Sequence, residues 1–245
     1  MAQSFFIWNG IDCRSRGVTM RGPAAIVRGE ERIKHVEIPG VAGDLTETEG
    51  EDVYNSYIQT VSISVKDAYN VRNIYKWLRG SGYVTFSGEP DRKQKARVVG
   101  AITLNRVSRN INRWAGEVQF YCQPLKEKLI SEKATVETAG DKVQNYGDVI
   151  SRPLWKVTVS SGQTSLHLRA EGNGTPTENQ LNLTNMTGGS VIWIDSETME
   201  VWNSARTQLL TKYSTGKFPV LAPGENTIYW SHIASAEIDK RERYL

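Results

Sequence analysis

Tyr57-Ile58-Gln59-Thr60-Val61-Ser62-Ile63-Ser64-Val65-Lys66, running on through Asp67 to Gly80, changes the period of its apolar residues midway. In 57–65, Tyr57, Val61, Ile63 and Val65 alternate with Ile58, Thr60, Ser62 and Ser64, the pattern of a strand with one apolar and one polar face. In 67–79, Val71, Ile74, Tyr75 and Leu78 fall at i, i+3, i+4 and i+7, which predicts an amphipathic helix. Asp67 suits its N-cap and Gly80 the left-handed position that closes the last turn. Arg72, Lys76 and Arg79 then lie off the apolar stripe, so the helix packs on something flat.

Outward from this pair the first half reads as strand. Val118, Phe120 and Cys122 alternate with Glu117, Gln119, Tyr121 and Gln123, which makes Cys122 a small buried core residue. Further strands are expected at 4–8, 31–38, 83–87 and 95–107. Between them, Pro39 to Ser56 carries three glycines and few apolar residues and reads as a long irregular loop. The domain ends near Pro124. After a polar, lysine-bearing stretch at 126–133, the second half has short, evenly spaced strands at 134–138, 153–160, 164–170, 180–185, 190–195, 198–203, 226–231 and 235–242, punctuated by Gly and Asn. That spacing predicts a β-sandwich of jelly-roll or lectin-like type. The expected fold class is mainly β: residues 1–130 as a β-sandwich-like domain with one α-helix, and residues 131–245 as a second β-sandwich.

Composition limits what such a chain does. Among 245 residues there are two cysteines, Cys13 and Cys122, and three histidines, His35, His167 and His232, all far apart. No disulfide framework, CxxC knuckle or HxxEH pair is available, so neither a metal nor another cofactor is expected. No P-loop, GxGxxG or GxSxG elbow occurs. No apolar run approaches the ~18 residues of a membrane span, and the first residues lack the pattern of a signal peptide. A soluble protein that folds inside the cell and inserts in no membrane is expected. Asp195 and Glu197 sit two apart, whereas glycosidase carboxylates face each other ~5–9 Å apart, so the pair reads as a strand-end turn. No catalytic residue is assigned.

Charge is segregated rather than extreme. Residues 1–130 carry 19 basic and 14 acidic side chains; residues 131–245 carry 11 and 13. This is too mild a bias for a dedicated nucleic-acid binder. Asp44, Glu47, Glu49, Glu51 and Asp52 form an acidic cluster, and Arg92, Lys93, Lys95 and Arg97 a basic one. Each reads either as solvated loop or as a patch for a partner. Of seven tryptophans, Trp155 and Trp193 lie in apolar strand runs and are expected in the core, while Trp202 and Trp230 are the candidates for stacking on a sugar ring. His167 alternates with Leu166 and Leu168 and is expected to face outward.

The motifs, taken in order, resemble the distal tail protein (Dit) family of long, non-contractile-tailed bacteriophages and prophages. They begin with Phe6-Ile7-Trp8-Asn9-Gly10-Ile11-Asp12 and Glu37-Ile38-Pro39-Gly40-Val41-Ala42-Gly43-Asp44-Leu45. Trp77-Leu78-Arg79-Gly80-Ser81-Gly82, Val84-Thr85-Phe86-Ser87 with Asp91, Ala96-Arg97 and Val118-Gln119-Phe120-Tyr121-Cys122-Gln123-Pro124 complete the first half. The second half adds Asn145-Tyr146-Gly147, Ser151-Arg152-Pro153, Ile194-Asp195-Ser196-Glu197 and the run from Gly216 to Asn226. The resemblance implies a homohexameric hub ring at the virion tail tip, assembled in the host cytoplasm. Its N-terminal domain would form the ring and a galectin-like C-terminal domain would decorate it. Such a hub joins the tail tube protein to the baseplate or tail-tip proteins, among them a tail-associated lysin, and DNA passes through its lumen. The acidic 44–52 segment is then a candidate for lumen or subunit seam, and Arg92, Lys93, Lys95 and Arg97 for the subunit interface. Competing readings are a glycan-binding tail protein, a cell-wall-degrading enzyme and a tail-tube subunit. The last would leave the second sandwich unexplained.

Overall fold

A computed structural model describes residues 4–50, 52–66, 68–176 and 178–245 of the chain. It is mainly β and divides into two compact units, Met1–Leu129 with Leu245, and Ile130–Tyr244. The first unit contains β1 (Phe6–Trp8), β2 (Ile11–Asp12), β3 (Val18–Met20), β4 (Ile33–Glu37), β5 (Asp44–Thr48), β6 (Tyr57–Lys66), α1 (Ala68–Trp77), β7 (Ser81–Phe86), β8 (Arg92–Val99), β9 (Leu104–Ser108) and β10 (Ile111–Lys128). One curled, sandwich-like sheet runs β2-β1-β7-β8-β10-β6-β3, with β9 paired to the start of β10. Phe6, Trp8, Ile63, Val65, Val118, Phe120 and Cys122 are buried on its inner face, and Ile74 of α1 and Leu78 just after it join the same core.

The alternation in 57–65 and 117–123 aligns directly: Val118 lies opposite Val61, with Gln119 opposite Thr60 on the outer face. Gly80 has φ +76° and ends α1 as its sequence requires; Asp67, the expected cap, lies outside the described residues. The helix stripe differs by one residue. Tyr75 is exposed, and Trp77 takes its place, its ring stacked on Phe6 at 5.7 Å. The expected strand 95–107 is two strands, because Gly100, at φ +70°, turns the chain between β8 and β9. β10 runs far past 117–123 and through Pro124. The proline is tolerated because it sits where the register with β8 shifts between Cys122 and Lys126. The segment 39–56 is not one loop: β5 forms within it and pairs with β4 as a separate two-stranded ribbon.

The second unit is a sandwich of two five-stranded antiparallel sheets. Its strands are β11 (Lys133–Val136), β12 (Lys142–Asn145), β13 (Leu154–Val159), β14 (Leu166–Gly172), β15 (Gln180–Leu183), β16 (Val191–Asp195), β17 (Glu200–Asn203), β18 (Ser214–Gly216), β19 (Gly224–Ser231) and β20 (Ile233–Asp239). One sheet runs β11-β20-β13-β16-β17, the other β12-β19-β14-β15-β18. Trp155, Val157, Leu166, Leu168, Leu181, Leu183, Ile192, Ile194, Ile228 and Ile238 fill the space between them. Trp193 is a correction: Ile192 and Ile194 occupy the inward phase, so Trp193 alternates outward and is only half-buried. His167 faces outward, as its phase requires, with Nε2 3.4 Å from Gln180 Oε1.

Candidate functional site

Surfaces, rather than a cleft, carry the features that set this chain apart. In the ribbon, Ile33 faces Thr48, Lys34 faces Glu47, His35 faces Thr46, Val36 faces Leu45 and Glu37 faces Asp44. Its root is held by backbone bonds from Arg32 N–H to Val53 O (2.9 Å), Glu49 N–H to Arg32 O (3.1 Å) and Asn55 N–H to Glu30 O (2.7 Å). Asp44 pairs with His35 Nδ1 at 2.7 Å, and Glu49 lies 3.6 Å from Arg32. Asp44, Glu47 and Glu49 are all exposed, as are Ile33, Ile38, Val41 and Leu45. Asp52 follows at φ +58°, in the turn between ribbon and β6. Glu51 lies outside the described residues.

The basic residues of 92–97 separate by strand phase. Gln94 and Ala96 are buried. Arg92 donates to Glu89 at 2.8 Å, and the buried Lys126 ammonium donates to the same carboxylate at 2.6 Å. Lys93 is 3.8 Å from Glu127 and stands over the Tyr83 ring at 5.0 Å. Arg92 and Lys93 are therefore engaged locally, while Lys95 and Arg97 project from the outer face of a strand flanked on both sides. The acidic and basic groups stay on separate elements.

A second basic element escapes a reading by short clusters. β9 and the start of β10 form a hairpin whose Arg106, Arg109 and Arg113 are exposed, and none of the three forms an ion pair with a described residue. The available signal was an absence: no acid occurs between Asp91 and Glu117.

In the second unit, Trp202 lies beside Trp193 across the β16–β17 pair on the outer face, and its indole N–H donates to Glu200 Oε2 at 3.2 Å. Arg206 covers the Trp193 ring at 4.0 Å. Trp230, opposite Leu168, packs its ring against the sandwich core. Asp195 and Glu197 form a turn. Asp195 accepts two hydrogen bonds from Arg241 (2.8 and 3.1 Å) and one from the Glu197 N–H (2.9 Å). Burial raises its pKa, but the Arg241 guanidinium and the backbone donors outweigh this and hold the carboxyl below the usual range. Glu197 pairs with Arg243 at 2.8 Å. Both acids are thus tied into ion pairs with Arg241 and Arg243. Burial raises the Cys13 thiol and pushes Cys122 to about 12, which leaves both poor nucleophiles. Among the described residues, no group of three or more His, Cys, Asp or Glu could hold a metal ion, and no helix is long and apolar enough to cross a membrane.

No family model and no curated protein matches the chain. Among solved structures the class of fold is nevertheless plain: it is that of phage hub and baseplate proteins. In particular, the chain superposes on the Dit protein of phage SPP1, described as a paradigm of the hub adsorption apparatus in phages infecting Gram-positive bacteria. The TM-score is 0.80 over 100% of both chains, at 16% identity. Chains of the phage P2 baseplate in its activated conformation follow. One has TM-score 0.54 at 7% identity, covering 100% of this chain and 99% of that one; another has TM-score 0.50 at 8% identity, covering 96% of each. The shared fold spans both units.

Proposed function

We propose that this chain is a distal tail protein: a structural, non-enzymatic component of the virion tail tip, assembled in the host cytoplasm as a homohexameric ring. Residues 1–130 build the ring and residues 131–245 form a peripheral sandwich. The ring joins the tail tube to baseplate or tail-tip proteins, including a tail-associated lysin, and its lumen passes DNA. The observation that carries this is the superposition on the SPP1 Dit protein over the full length of both chains. The surface chemistry supports it. A head-to-tail ring joins two different surfaces of the same subunit, and opposite charges on separate elements fix such a register. Anionic side chains at the lumen would also let DNA slide, since phosphate contacts hold it. Asp44, Glu47, Glu49, Glu51 and Asp52 are assigned to lumen or seam, and Arg92, Lys93, Lys95 and Arg97 to the subunit interface. Light scattering after size exclusion, followed by negative-stain imaging, tests the reading. A six-membered ring with an open centre is expected; a monomer at every concentration would overturn it.

A second reading, host-glycan binding by the sandwich, rests on the Trp193–Trp202 pair on its outer face. Glycan-array binding lost on Trp202→Ala would promote it; Trp230, whose ring packs on the core, is no longer a candidate contact. Absence of any binding would leave the sandwich a purely structural decoration.

A further inference from the structure

Resting on the ring reading, we propose which elements meet between neighbouring copies: the β4–β5 ribbon of one subunit docks on the β9–β10 hairpin of the next. The charge pattern along the chain is the first observation. From 35 to 65 there are six acids, Glu37, Asp44, Glu47, Glu49, Glu51 and Asp52, and no Lys or Arg. From 92 to 116 there are seven bases, including Arg106, Arg109 and Arg113, and no acid. The structure gathers Glu37, Asp44, Glu47, Glu49 and Asp52 onto the ribbon and its root, and places those three arginines on the hairpin.

The second observation is that each element lacks the cover its composition requires. A two-stranded ribbon alone is marginal in water, yet this one pairs with no further strand among the described residues. It also exposes Leu45 by 48% and Val41 by 60%. The hairpin exposes Val107 by 52% and Ile111 by 55%, between arginines that have no acidic partner among the described residues. Among the described residues β9 pairs only with β10, so its outer edge is unpaired there. Each element therefore offers an apolar strip flanked by charge, and the signs are opposite. Apolar contact at the centre with complementary charge around it is how specific interfaces are built. Both halves belong to one chain and do not pair within it, so the occupant that fits is a second copy, joined head to tail.

The test is a charge exchange in the full-length protein. One variant carries Asp44→Lys, Glu47→Lys and Glu49→Lys; the other carries Arg106→Glu, Arg109→Glu and Arg113→Glu. Each alone is expected to self-associate at least about tenfold more weakly than the parent. Mixed one to one, they restore opposite signs at every seam, and rings of alternating subunits are expected by light scattering and imaging. Closure of such a ring requires an even number of subunits, which six satisfies. Matching circular dichroism and melting temperature establish that both variants fold. If either does not, the neutral set Asp44→Asn, Glu47→Gln and Glu49→Gln replaces the acidic one, and Gln at the three arginines the basic one; both are expected to weaken the ring. Parent-like rings from both variants overturn this contact and leave the ring reading intact, as does a mixture of folded variants that fails to assemble. A hairpin variant whose only change is lost affinity for duplex DNA also overturns it, since its partner is then phosphate. A parent that never assembles overturns both readings.

Discussion

Ser196 is fully enclosed, and its hydroxyl does two jobs: it accepts from the Trp155 indole N–H at 3.2 Å and donates to Pro219 O at 2.7 Å. Ser196→Ala leaves a buried donor and a buried acceptor unpaired, and is expected to cost about 2 kcal/mol in urea unfolding. An unchanged midpoint would mean that water takes over both bonds. One residue earlier, Asp195 makes stability depend on pH. Its folded-state pKa is depressed, so the contribution is complete above the ordinary aspartate range and is lost as pH falls through the folded value. Melting curves are therefore expected to fall steeply below about pH 4, and Asp195→Asn should flatten that fall while lowering stability at neutral pH. A variant with an unaltered acid limb would place the sensitivity elsewhere. The motif Ile194-Asp195-Ser196-Glu197 thus has a physical account in the turn it builds, with no need of catalysis. The same holds for Asn145, whose buried amide donates to Val149 O (3.4 Å) and Leu221 O (3.0 Å), and for Asn226, which ties Ala222 N–H and O at 2.9 and 2.8 Å.

At the scale of elements, legibility followed burial. Where one face of a strand is packed, as in β6, β13 and β16, alternation is strict and the strand can be read from residues alone. β5 has no buried face, so Asp44-Leu45-Thr46-Glu47-Thr48 shows none of the alternation that marks a core strand and reads as loop. β12 and β18 escape a reading by period because Lys142-Val143-Gln144-Asn145 holds one apolar residue and Ser214-Thr215-Gly216 none. The motif at the start of the chain is explained by its turn. Asn9 (φ +49°) and Gly10 (φ +77°) are the two left-handed residues of a tight hairpin between Trp8 and Ile11. Asn9 also bonds across to β7: its N–H donates to Tyr83 O, and its Oδ1 accepts from Tyr83 N–H, both at 2.9 Å. A β-carbon on Gly82 would overlap the Asn9 amide. Gly82→Ala is therefore expected to destabilise the first unit by about 1–3 kcal/mol, more than Asn9→Ala. Equal stabilities for Gly82→Ala and the parent would show that the amide can swing away. What stayed illegible about the candidate surface has the same cause. Arg106, Arg109 and Arg113 are spaced too widely to form a cluster in sequence, and only the β9–β10 turn brings them onto one hairpin.

For the whole molecule, assembly through opposite charges has a consequence that assembly through apolar surface alone does not share. Screening length falls from ~10 Å at 0.1 M salt to ~3 Å at 1 M, so exposed pairs at a seam lose most of their attraction over that range. The hydrophobic part of the same contact is not weakened by ordinary salt and is strengthened by sulfate. The proposed ring is therefore expected to dissociate partly as sodium chloride rises from 0.1 to 1 M, and to be retained in sodium sulfate at matched ionic strength. Light scattering at fixed protein concentration reads both. Equal stability in the two salts up to 1 M would mean that the exposed Leu45, Val41, Val107 and Ile111 carry the seam and that the charges only guide its formation. In that case the association rate, not the equilibrium, would fall with salt, and stopped-flow mixing of dissociated subunits would separate the two roles. Segregation of opposite charge onto two separate elements, the β4–β5 ribbon and the β9–β10 hairpin, is the property that makes this distinction measurable.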